Sequence, residues 1–187
     1  MTDWTGRLAV ATPLLLDPNF ARAVVLLLQV EPDDGALGLV LNRPTDTTVH
    51  EVLEDWGPLA GAPPVVFTGG PVQPNAAICL GRGRLDAPGV PAFSALENAP
   101  TLGTVDLDAS PGDVQLAVSE VRLFAGYAGW GAGQLEAEVD EGAWWVLESL
   151  PSDAFTAEPA LLWQRVLRRQ GPPIAFAALY PEDPSLN

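Results

Sequence analysis

The sequence has no lysine, one cysteine (Cys79), one histidine (His50) and one methionine among 187 residues. Each shortage removes a class of protein. A lone cysteine builds neither a disulfide scaffold nor a cysteine-rich zinc site. A lone histidine excludes every multi-histidine metal site and argues against a histidine-based triad. The side-chain inventory therefore implies no metal and no cofactor. Positive charge is scarce as well: nine arginines stand against 24 acids, for a formal net charge of −15. A duplex-binding face needs clustered basic side chains, so direct nucleic-acid binding is disfavoured. The imbalance is uneven, with five bases and ten acids in residues 1–93 and four bases and fourteen acids in residues 94–187. Neither half carries a helix-turn-helix signature.

Long apolar runs are missing too. The most apolar stretch, Ala23 to Val30, is broken by Gln29 and bounded by Arg22 and Glu31. It falls far below the ~20 residues that span a bilayer. Asp3 stands where a signal peptide needs positive charge. The expectation is a cytoplasmic protein with Cys79 reduced and no membrane association. Hydrophobic residues reach 48%, too many for an acidic disordered chain.

What is abundant is glycine (18) and proline (19), spread along the whole length. That pattern predicts many short elements joined by turns rather than a helical bundle. No linker or repeat divides the chain, and residues 1–187 read as a single domain. Strands are predicted over Leu8–Ala11, Arg22–Val30, Leu37–Asn42, Val65–Thr68, Ala76–Leu80, Gly103–Leu107, Val118–Tyr127 and Trp144–Leu147, with strand potential near Ala92–Leu96 inside an irregular 81–103 stretch. The turn at Glu31–Gly35 makes a hairpin of the second and third, and Arg43-Pro44 stops it. Thr48 caps a helix running to about Trp56 with Val49, Val52 and Leu53 as its apolar stripe. Gln134–Glu141 alternates like a strand, but its composition favours a helix. A last helix opens at Pro159, buries Leu161, Leu162 and Val166, and ends at Gly171-Pro172. Strands first and mixed elements later suggest an α+β fold around a curved mixed sheet flanked by helices.

Three segments are candidates for chemistry. Phe124 to Glu136 places Gly126, Gly129, Gly131 and Gly133 around Tyr127 and Trp130, between a strand and a predicted helix start. Read functionally, this is a cradle for a small ligand or phosphate. Read structurally, it is a tight crossover with its aromatics in the core, and the lack of a GKS or GKT ending favours that. Gln134, Glu136 and Glu138 form a polar cluster that offers acid–base chemistry, although positions two apart on a helix diverge. Glu136 also offers a carboxylate to Arg43. Asn42-Arg43 suits a carboxylate or phosphate, or equally the locking of loops through carbonyls. Gly69-Gly70 marks close backbone packing or a ligand passing nearby. His50 reads as a surface or capping residue and Cys79 as an inert buried thiol. Trp144 and Trp163 read as core, while Trp4, Trp56 and Trp130 suit an interface or pocket.

Several of these segments form an ordered set. Gly6-Arg7-Leu8 to Pro13 is followed by Asp17-Pro18-Asn19-Phe20, then by Gly35 to Pro44 (GALGLVLNRP). Gly69-Gly70-Pro71-Val72 comes next, then Gly126-Tyr127-Ala128-Gly129-Trp130 with Gly133-Gln134-Leu135-Glu136 and Glu138. In this order they resemble the AlgH/YqgE family of bacterial proteins, also called UPF0301 or DUF179. The resemblance implies a single α+β domain whose bifurcated sheet folds into a pseudo-barrel. It also implies a cytoplasmic protein without an established activity, under a transcriptional-regulator label.

Two functions follow as expectations. One is a non-enzymatic regulatory or binding protein, acting on a protein partner or small ligand. Its surface would join Asn42, Arg43, Gly69, Gly70, Gly126, Tyr127, Gly129, Trp130, Gln134, Glu136 and Glu138. The alternative is an enzyme using Glu136 or Glu138 for acid–base or hydrolytic chemistry on a small anionic substrate. Homodimerisation through a strand edge or tryptophan patch is compatible with either.

Overall fold

The computed structural model describes residues 3–85 and 89–181. Met1 and Thr2, the start of the stretch read against a signal peptide, lie outside the described residues, as do 86–88 within the 81–103 stretch.

Strands β1 (Leu8–Ala11), β2 (Val24–Glu31) and β3 (Gly35–Val40) form an antiparallel meander. The first five residues of β2 are buried, as an unbroken Val/Leu run requires when a strand is covered on both faces. Next along the chain come β4 (Pro44–Thr48), β5 (Val65–Thr68), β6 (Val72–Gly83), β7 (Phe93–Leu96) and β8 (Ala99–Val105). The longest strand is β9 (Val118–Trp130), and β10 (Trp144–Leu147) pairs with the outer edge of β1.

These make one ten-stranded sheet, eight strands of it in the order β10-β1-β2-β3-β9-β6-β8-β7, with β5 joining through β9 and β4 pairing with β5 off that path. The branch point is β9. Its last residues pair with β3 (Gly38 opposite Ala128), and its middle pairs in parallel with β5 (Phe67 opposite Phe124). The remaining contact of β9 runs antiparallel along β6. The N–H of Val40 donates to the Gly69 carbonyl (2.8 Å) where the two branches separate. The sheet is thus mixed and bifurcated, and no pairing between β10 and β7 closes it among the described residues.

The helices are short: α1 (Val49–Val52), α2 (Pro111–Val114), α3 (Gln134–Asp140), α4 (Pro151–Ala154), α5 (Leu162–Arg168) and α6 (Ile174–Ala177). None is long and apolar enough to cross a membrane. The main core packs Leu26, Leu39, Phe67, Leu80 and Phe124 against Trp163 and Val166 of α5.

Several elements depart from the sequence expectation. Pro44 opens β4 rather than only ending a strand, because it lies at an edge where no ladder N–H is needed. Thr48 caps α1 through a full capping box with Glu51, but the helix stops at Val52 and a 3-10 turn over Glu54–Leu59 takes over. Val52 is consequently exposed. Pro159 starts a 3-10 turn, not α5 itself. The tighter turn rotates Leu161 outward, leaving Leu162, Trp163, Val166 and Leu167 as the buried stripe. The 81–103 stretch carries the end of β6, β7 and the start of β8. Finally, β9 runs straight through Gly126 and Gly129 to Trp130, three residues past its predicted end.

Candidate functional site

Asn42 and Arg43 follow β3, where the chain leaves the sheet. The Asn42 side chain is buried and engaged at both ends: its Oδ1 accepts from the Val24 N–H (3.0 Å) and its Nδ2 donates to the Arg22 carbonyl (2.9 Å). Arg43 donates from Nη2 to the Ala21 carbonyl, and burial lowers its pKa. Together they fasten residues 21–24 to the end of β3. Among the described residues Arg43 forms no ion pair with Glu136. The ion pairs found are Arg82–Glu120, Arg165–Glu158 and Arg169–Asp153.

The glycines of two segments do converge, but on each other. A Cβ on Gly69 would sit 2.2 Å from the Gly126 carbonyl oxygen. One on Gly70 (φ +153°) would sit 2.2 Å from the carbonyl carbon of Tyr127. One on Gly126 (φ +71°) would sit 2.6 Å from the Gly70 carbonyl oxygen. All three are buried, so the space a ligand cradle would need is filled by backbone. Gly129 is exposed, and with Tyr127 and Trp130 it lines an open cleft of about 360 Å³ that also takes in Glu31 and Asp34.

Past β9, the polar cluster forms a closed network. Gln134 Oε1 accepts from the Gly131 N–H (2.9 Å), and its Nε2 donates to Glu138 Oε1 (2.8 Å). The other oxygen of Glu138 accepts from both the Trp130 and Trp144 indoles, at 3.0 and 2.8 Å. Those indoles pack edge to face 5.7 Å apart, and Phe20 joins them. Trp130 is therefore largely buried with an edge on that cleft, and Trp56 is buried in a separate core cluster with Val49, Val66 and Val121 rather than at an exposed interface. Glu136, two residues from Glu138 on α3, is exposed and points elsewhere. A carboxylate already accepting from three donors is a strut, and the pair does not converge on a common substrate.

His50 is exposed, with Nδ1 3.3 Å from the Glu54 carbonyl oxygen, and Cys79 is buried with its thiol pushed up to about 12 by desolvation.

Two arginines that sequence reasoning left aside have well-defined places. Arg122 lies wholly inside, between the Phe67 and Phe155 rings. Arg22 stacks over the Trp163 ring with its Cζ 4.6 Å from the centroid, and Nη2 donates to the Tyr180 carbonyl (2.6 Å). It borders an apolar cleft of about 340 Å³ built by Leu14, Leu15, Leu16 and Tyr180. The visible signal for that cleft was the Pro13-Leu14-Leu15-Leu16 run, three leucines inside a turn-rich connection.

The fold and these contacts define a branched, open α+β sheet protein whose marked residues mostly hold strand ends together. Residues 8–175 match the model of the DUF179, AlgH-like family. A UPF0301 protein of Streptomyces coelicolor is 52% identical over 100% of this chain and 97% of its own length. A UPF0301 protein of Thermobifida fusca is 50% identical over 98% and 95%. Among solved structures, a Corynebacterium diphtheriae protein superposes with a TM-score of 0.88 at 31% identity, covering 94% of this chain and 91% of that one. The AlgH protein from Pseudomonas aeruginosa, UPF0301, gives 0.69 at 28%, covering 97% and 96%. The chain belongs to the AlgH-like UPF0301 family.

Proposed function

We propose that this protein is a non-enzymatic binding protein with a regulatory role, engaging a protein partner or small ligand at the surface around residues 12–22. The observation that carries the reading is the gathering of exposed apolar side chains there. Leu14 (78% exposed), Leu16 (71%) and Tyr180 (56%) line one cleft. Phe176 and Leu179 are exposed on the segment that leads into Tyr180. Contiguous exposed apolar surface of this kind marks interaction sites.

The acid–base alternative on Glu136 and Glu138 draws no support from their geometry, since one carboxylate is a strut and the other faces away. The regulator label attached to the family by resemblance is read here as action through a partner. A chain of net charge −15 repels a polyanion, and Arg22, Arg43, Arg84 and Arg122 already hold backbone carbonyls. The reading takes the protein as cytoplasmic, where its one thiol stays reduced.

Thermal-shift screening of the full chain against nucleotides, metabolites and divalent metals, repeated on a Leu14→Asp/Leu16→Asp variant, tests this. Hits should raise the wild-type midpoint and lose that effect in the variant. Hits that shift both proteins equally, or that are turned over, overturn the reading.

A further inference from the structure

We infer that the cleft beside Arg22 binds a small amphipathic carboxylate, its alkyl tail against Leu14 and Leu16 and its carboxylate on the Arg22 guanidinium. This rests on the binding reading above and names its ligand class. The volume, about 340 Å³, lies at the lower end of the ~300–1,000 Å³ typical of small-molecule sites. Its walls are apolar and aromatic, and no acidic side chain lines it among the described residues. In a protein with 24 acids and nine bases, a cleft whose one charged lining residue is an arginine is a local reversal of sign. Charge complementarity therefore selects an anion, and the leucines select one with an aliphatic body.

The guanidinium is held in place rather than left on a mobile stem. Arg22 takes a left-handed backbone conformation (φ +56°), uncommon for any residue but glycine. The buried Asn42 side chain fixes it, donating to the Arg22 carbonyl and accepting from the Val24 N–H. Arg43 holds the carbonyl of Ala21 just before it. The side chain then lies over the Trp163 ring, whose own indole donates to the Ala11 carbonyl (2.8 Å). Among the described residues, the Arg22 side chain has one protein acceptor, the Tyr180 carbonyl, which Nη2 meets. Among the described residues no carboxylate pairs with Arg22, so the remaining N–H groups of the fork can meet a carboxylate edge-on. On this reading the Asn42-Arg43 motif acts at one remove, as a positioning pair.

Calorimetric titration of the full chain with octanoate tests the proposal, with octanol (same tail, no charge) and acetate (same charge, no tail) as comparisons. Octanoate should bind roughly tenfold or more tightly than either. Arg22→Gln should remove most of that advantage. Leu14→Asp alters an exposed side chain and should weaken octanoate at least as much while leaving the thermal midpoint unchanged. Octanol binding as tightly as octanoate, or octanoate binding Leu14→Asp as it binds wild type, overturns the inference. If octanoate fails while screening hits still depend on Leu14 and Leu16, the carboxylate class is wrong and the binding reading stands. If no ligand or partner depends on those leucines, both fall.

Discussion

After Trp144, Arg122 is the largest fully buried side chain. Its Nη1 donates to the Ala154 carbonyl (2.8 Å), and Nη2 donates to those of Ala62 (2.5 Å) and Thr156 (3.1 Å). Its Cζ lies 4.4 Å from the Phe67 ring centroid. Desolvation depresses its pKa to about 10, partly opposed by the charge of Glu120, so it remains a cation at neutral pH. Arg122→Met would leave three inward carbonyls without donors, and urea unfolding should show a loss of roughly 3–5 kcal/mol. Arg122→Lys keeps the charge but not the planar fork, and should fall between. Glu138 is the second strut. Glu138→Ala strips three donors of their acceptor and should cost about 2 kcal/mol, with a shift in tryptophan emission as the Trp130 and Trp144 indoles lose it. Cys79 adds a pH dependence. With the folded pKa at about 12 and an unfolded thiol near 8.5, the unfolded chain releases its proton first. Stability is therefore full below the unfolded value and falls as pH rises past about 9, by up to ~1.4 kcal/mol per pH unit. Above about 10 Arg122 opposes this, since its proton leaves the folded chain before the unfolded one. Midpoints of wild type and Cys79→Ala should converge between about pH 8 and 10, and a parallel course would contradict the assignment.

At the level of elements, close backbone approach explains the glycines at 69, 70 and 126. β5 and β9 run side by side, and the turn after β5 crosses against the last third of β9. Gly69→Ala drives a methyl group into the Gly126 carbonyl, and Gly70→Ala drives one into the Tyr127 backbone, where no side chain can yield. Each should cost on the order of 3 kcal/mol or prevent folding. Gly133→Ala, with φ +70° but open space around it, should cost only about 1 kcal/mol in the same denaturation series. Equal losses at Gly70 and Gly133 would show that backbone freedom, not crowding, sets the effect. Strand identity was largely legible because strands covered on both faces need continuous Val and Leu, as β2 shows. Helix limits were not. Thr48 signalled the start of α1 by its capping chemistry, but the switch to a 3-10 turn at Glu54 goes with the burial of Trp56 among Val49, Val66 and Val121. The same holds for Leu161, whose rotation follows from the turn ahead of α5.

Across the whole molecule, the missing lysines have a structural counterpart. Arg22, Arg43, Arg84, Arg122 and Arg169 each donate to at least one backbone carbonyl in a turn, bend or loop. A chain with 19 prolines carries many loop carbonyls outside any ladder, and a planar fork satisfies two or three where an ammonium holds fewer. This use leaves little basic surface. Mobility-shift assays on duplex DNA should show no complex even at low salt; a complex that weakens steeply with salt would overturn that.

By itself the sequence determined the family, the strand-rich plan and the sign of the surface, because composition, turn residues and apolar runs act locally. It also marked Asn42, Arg43, Gly69, Gly70, Gly126 and Glu138 as unusual. Only the tertiary structure decided what they do, because each is defined by a group that folding brings to it: a Gly126 carbonyl against Gly69, two indoles on Glu138, the Arg22 backbone on Asn42. The leucine run at 14–16 marked one wall of the cleft beside Arg22, but not the cleft itself, for the same reason. It exists where residues 12–22 meet Trp163 and Tyr180, a meeting that the leucine run does not by itself specify.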